Sequence, residues 1–263
     1  MRLLKAIDQG GFSLHDFHDS LPPYAILSHT WEANDQEVKL EDIRHRSGLH
    51  KTGYKKIEFC AQQARKDGLD YFWVDSCCIN QDSSAELTEA INSMFRWYQD
   101  AVKCYVYMAD VSATEIPTAS SSGQASCFVR SRWFTRGWTL QELLAPNSVG
   151  FFNKDGVCLG DKVQLRDLIQ QATGISNQIL EGQPPTLVGI EERLSWIANR
   201  NTTKSEDTIY SVLGIFEAFM PPIYGEGAVN AFRRLAEEIE KSSAFAQPRR
   251  SNYRTSKYVE LTH

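Results

Sequence analysis

The stretch "TRGWTLQELLAP" sets a carboxylate, Glu142, four residues after Trp138, among the apolar Leu140, Leu143 and Leu144. At helical spacing the two share a face. The acid then either meets water on a surface helix, as most helical glutamates do, or lines a pocket and does chemistry. Ser28, His29 and Trp31 close the apolar run "YAILSHTW". They suit a hydrogen-bonded turn with an anchoring tryptophan, or a pocket wall with Ser28 on a phosphate or ribose and Trp31 stacked on a ring. Asp75, Asn80 and Gln81 close "DYFWVDSCCINQ". Asp75 fits a turn cap or a ribose hydroxyl, as acidic residues do in dinucleotide folds.

Cys77 or Cys78 with His29 and Asp75 would supply the parts of a nucleophilic triad. Vicinal cysteines in an apolar run more often pack as small hydrophobes, and nothing marks a lowered thiol pKa. No compact ligand spacing appears, so no metal is expected. Arg130, Arg132 and Arg136 surround Trp133-Phe134, either as a solvated helix face or with one guanidinium on a diphosphate or an acidic partner. Further on, Arg200 and Asp207 suit a structural ion pair. "YGEG" suits a tight turn, because its two glycines make no phosphate loop.

The elements that must position these residues follow from the hydrophobic pattern. A chain of 263 residues with 42% apolar and 23% charged residues suits one large domain, or a domain plus an extension. The net charge of −5 gives no general reason to bind nucleic acid or an anionic membrane surface. No apolar run reaches the roughly 18 residues of a membrane span, and "MRLLKAIDQGGF" lacks the apolar stretch of a signal peptide. The six cysteines form no metal-finger pattern and read as reduced cytoplasmic thiols.

Short apolar strands are expected at 24–31, 71–74, 104–108 and 148–153, with an edge strand near "GVCLG". Helices are expected within 53–69 with a stop at Asp67-Gly68, after a cap at Ser83 or Ser84, over 130–146, and up to Gly174. Residues 1–23 read as a lead-in and 112–126 as a flexible loop. From Ile190 the pattern is mostly helical, and 246–263 read as a polar tail. Strands alternating with helices imply an α/β fold with a parallel sheet flanked by helices. Ligands bind such sheets outside the carboxyl ends of the strands, which here carry Ser28, His29, Trp31, Asp75, Asn80 and Asp110.

"YAILSHTW", "FWVDSCCINQ", "SRWFTRGWTLQELLAP" and "SWIANRNTTKSEDTIYSVLGIF" with "MPPIYGEG" resemble, in this order, the fungal heterokaryon incompatibility (HET) domain and its usual continuation. The resemblance implies a HET domain over 24–180 and a helical extension over 185–245. HET domains are themselves similar to TIR domains. That likeness implies a TIR/flavodoxin-like sheet and a role in programmed cell death after non-self recognition, a form of fungal innate immunity. Some TIR domains cleave NAD between nicotinamide and ribose, using a Glu in a W-x-x-x-E arrangement beyond the third strand, and Trp138 and Glu142 match that spacing.

The expectation is therefore a cytoplasmic NAD glycohydrolase (NADase) with Glu142 as the catalytic carboxylate. Ser28, His29, Trp31, Asp75, Asn80 and Trp138 would shape the pocket. NAD would be substrate, no separate cofactor is implied, and the partners would be further copies of the chain and an upstream sensor. One carboxylate can suffice, because nicotinamide is already a cationic leaving group and the positive charge growing on the ribose carbon needs only a fixed anion. The alternative is a non-enzymatic module that signals by self-association.

Overall fold

The computed structural model of the chain describes residues 1–7, 10–112 and 127–246. Its strands form one sheet in the order β2-β1-β4-β3-β5-β6-β7. Strands β1 (Arg2–Ala6) and β2 (Phe12–Asp16) are an antiparallel hairpin at one edge. The centre is parallel and holds the four strands expected from the apolar runs: β3 (Tyr24–His29), β4 (Tyr71–Trp73), β5 (Lys103–Met108) and β6 (Val149–Asn153). The other edge is β7 (Cys158–Asp161), antiparallel to β6. The order β4-β3-β5-β6 is that of the first four strands of a flavodoxin-like sheet, in which the border between the first and third strands is the switch point. Here that border is β3–β5, with Ser28 paired to Val106 and His29 to Tyr107.

Around the sheet lie α1 (Leu40–Arg44), α2 (Tyr54–Lys66), α3 (Asp75–Cys78), α4 (Ser84–Asp100), α5 (Thr139–Leu144), α6 (Arg166–Thr173) and α7 (Asn177–Leu180). Their ends are written locally. The Ser83 hydroxyl accepts the Glu86 amide at 3.3 Å and starts α4. Gly174, at φ 72°, ends α6 in the left-handed conformation that favours glycine. All six residues of β3 are buried, as befits a strand covered on both faces. Trp73 packs edge-on against Trp97 and Tyr98 of α4. Each such fully buried large side chain contributes about 1.5–3 kcal/mol.

The structure differs from the sequence expectation in two places. Residues 1–23 are more than a lead-in: β1 pairs with β4 as well as β2, and Leu3 and Leu4 are fully buried. The hairpin escaped notice because its strands are short and interrupted by charges. Residues 130–146 are also not one helix. A 3₁₀ turn, Arg132–Thr135, is followed by an extended Arg136, and α5 begins only at Thr139. The cause is a backbone clamp from the extension. Asn201 donates its amide to Thr135 O at 2.6 Å and accepts that of Gly137 at 3.0 Å, which draws the chain out of helical conformation.

The extension comprises α8 (Ile190–Ala198), α9 (Asp207–Tyr210), a 3₁₀ turn (Leu213–Phe216) and α10 (Gly227–Ala246). It joins α4 through Asn92, whose amide donates to Met220 O at 3.1 Å and accepts Met220 N–H at 3.0 Å. The loop expected at 112–126 lies, apart from its first residue, outside the described residues, as does the tail from 247. Among the described residues no helix is long and apolar enough to cross a membrane, and no cluster of potential metal ligands occurs.

Candidate functional site

Glu142 projects from α5 into the protein and is 4% exposed. Its carboxyl meets Ser28 at the carboxyl end of β3: the Ser28 hydroxyl donates to Glu142 Oε2 and accepts the Trp133 indole N–H at 2.9 Å. On the other side Glu142 lies beside the Tyr98 hydroxyl of α4, which acts on its carboxyl. Tyr98 donates its proton to Leu27 O at 2.9 Å. The hydrogen bonds run one way, from the Trp133 indole through the Ser28 hydroxyl to Glu142.

Burial, and then the negative charge of Asp75, push the Glu142 carboxyl up to about 8. Ser28, Tyr98 and the positive charge of Arg200 pull the other way without cancelling the effect.

A second polar cluster adjoins the first. His29 Nε2 lies 3.3 Å from Glu37 Oε1, and Nδ1 lies 3.8 Å from Asp75 Oδ1. The Trp31 indole donates to Asp75 Oδ2 at 2.7 Å. The buried Lys56 ammonium donates to Thr30 O at 2.7 Å and contacts Glu37 and Glu32 at 3.3 and 3.0 Å. Burial alone would raise the Glu37 carboxyl, but His29, Lys56 and the Glu32 amide overcome it and hold it down at about 2. Burial raises Asp75 instead, against His29 and Trp31. Trp31 remains 40% exposed, so its ring is open to stacking.

The structure thus brings together Ser28 and Glu142, and beside them His29, Trp31 and Asp75. Asn80 lies apart: its side-chain oxygen accepts the Asp82 amide, and its backbone N–H donates to Glu86, which is paired with Arg2. Trp138 instead lies by Asp207 of the extension, whose carboxyl it pulls down against burial. The tryptophan against Ser28 is Trp133. Arg200 does not form the expected ion pair with Asp207. It donates to Trp196 O, Arg136 O and Thr139 Oγ1 at 3.1, 2.9 and 3.0 Å, while Asp207 accepts from Tyr224 at 2.9 Å.

Cys77 and Cys78 are buried, and desolvation raises the Cys77 thiol well above its ordinary value. That opposes a thiolate nucleophile.

Tyr98, Trp133, Lys56, Glu37 and Arg200 are the members that sequence reasoning did not place here. For Trp133 a signal existed, since it stands beside the same apolar helix start. Lys56 gave none: it occupies a buried position in a helix whose apolar spacing reads equally well without it.

Several comparisons bear on identity. The family "Heterokaryon incompatibility protein (HET)" matches residues 24–127, which cover β3, β4, β5 and the helices between them. A relative, "Vegetative incompatibility protein HET-E-1" of Podospora anserina, is 47% identical over 245 residues, 92% of this chain. The chain spans 18% of that protein's length. No solved structure matches the chain significantly. The α/β sheet, the polar strand ends and these matches agree, and the chain belongs to the heterokaryon incompatibility (HET) domain family.

Proposed function

We propose that this chain is a cell-death effector domain of heterokaryon incompatibility, and that it hydrolyses NAD at the nicotinamide–ribose bond with Glu142 as the catalytic carboxylate. One observation carries the chemistry: a buried carboxyl sits at the carboxyl rim of a parallel sheet, at its switch point, joined to a strand-end serine. The role in incompatibility rests on family membership and on the name of the HET-E-1 relative. The TIR-like activity rests on the resemblance.

In the resting chain Glu142 is closed off and neutral. Opening the rim brings in water and a nucleotide. The cationic nicotinamide ring then favours the ionised acid, and the carboxylate stabilises the charge growing on the ribose carbon. Ser28 orients the carboxyl, while Trp31 and Asp75 offer a ring face and a hydroxyl partner. Water completes the hydrolysis, releasing nicotinamide and an ADP-ribose product.

The closed state also favours a second reading, a module that signals by self-association without chemistry. The experiment that separates the two is incubation of concentrated protein with NAD and measurement of free nicotinamide. Release by wild type and loss in Glu142→Ala is expected. No release from either protein, even when forced to assemble, leaves the second reading. Equal release from both assigns the chemistry elsewhere.

A further inference from the structure

Beyond the carboxyl end of α5 lies a cleft of about 400 Å³, within the size range of small-ligand sites. It opens where the sheet domain meets the extension, and such junctions favour ligand binding. Phe95 and Arg96 of α4, Lys162 after β7, and Pro184 and Phe219 from the later chain line it.

Lys162 is 5% exposed. Its ammonium donates to Leu143 O at 3.3 Å and Pro146 O at 2.8 Å. Both partners are neutral carbonyls, and an ammonium has three protons to place. Desolvation lowers its pKa to about 8, which leaves it largely a cation at neutral pH. A buried cation is ordinarily matched by an anion. Neither of the cleft's own carboxylates forms an ion pair with Lys162: Glu181 pairs with Arg166 at 3.3 Å, and Glu217 is exposed. Arg96 stands exposed on the same wall and adds a second positive charge.

The apolar side is equally incomplete. Phe219 is 70% exposed, an unusual state for a large ring beside a cavity. Phe95 is fixed from behind by Gly214, where an added Cβ would lie 2.1 Å from Phe95 Cβ.

We propose that this cleft is a ligand site for a small aromatic anion, its carboxylate or phosphate facing Lys162 and Arg96 and its ring covering Phe219. The site is separate from Glu142 and does not depend on NAD hydrolysis.

Phenyl phosphate titrated into the full chain by calorimetry, with inorganic phosphate as the ringless control, tests the assignment. The expected result is saturable binding of one phenyl phosphate per chain, with inorganic phosphate at least about threefold weaker for want of the ring contact. Phe219→Ala should weaken phenyl phosphate about threefold to tenfold, and Arg96→Gln about twofold to fivefold. Both side chains are exposed, so these variants keep the fold. Lys162→Met, where its thermal melt shows it folded, should lose binding. The assignment is overturned if phenyl phosphate shows no saturable binding up to millimolar concentration. It is equally overturned if Phe219→Ala and Arg96→Gln bind as wild type does, or if folded Lys162→Met still binds.

Discussion

Glu142 is a carboxylic acid stored in its neutral form, and this has a consequence for stability. In the unfolded chain the carboxyl returns to its ordinary value of 4.5, while in the fold it is raised to about 8. Between these values the folded state keeps a proton that the unfolded state releases. Stability therefore falls as pH rises from about 5 to 8 and levels off above that. Glu142→Gln is uncharged and still accepts from Ser28. It should match wild type near pH 5 and exceed it by a few kcal/mol, on the order of the shift, at pH 8, as read by urea unfolding at both pH values. A gain that does not change with pH would contradict the neutral acid. Ser28→Ala leaves the Trp133 N–H and the Glu142 carboxyl without their shared partner and should cost about 1–3 kcal/mol in the same measurement.

At the scale of elements, the site depends on a short helix held at both ends. Lys162 takes up the carbonyls of Leu143 and Pro146 at the end of α5. At its start, Arg200 and Asn201 from the extension fasten residues 135–139. Gly137 permits that approach: a Cβ there would meet the Thr202 methyl at 2.4 Å. Gly137→Ala should destabilise the protein by about 1–3 kcal/mol in urea unfolding. An unchanged midpoint would show that the clamp yields freely.

Much of this scale was legible in the sequence. The parallel strands, the Ser83 cap and the Gly174 stop all follow from local patterns that the structure repeats. Of the two misses, the β1–β2 hairpin has short strands interrupted by charges, and the broken helix after Arg132 was set by a partner distant in the chain. A two-residue backbone bridge to Asn201 leaves no periodic trace. For the same reason Ser28 and Glu142 were nameable but their bond was not, and Trp138 drew attention that its spacing to Glu142 invited while Trp133 made the contact.

For the whole molecule, a sealed acid at the sheet rim implies that activity requires opening. Assembly of several copies would supply that, so nicotinamide release per molecule should climb with protein concentration. Release constant per molecule over a wide range would remove assembly from the account. The extension belongs to the working unit, since Arg200 both fastens α5 and opposes the raised state of Glu142.

The most direct measurement is the carboxyl ¹³C resonance of Glu142, identified by its loss in Glu142→Gln and titrated with and without NAD. A midpoint near 8 in the resting chain, moving down when NAD is bound, is the expected result. A midpoint in the ordinary carboxylate range that NAD leaves unchanged would contradict it.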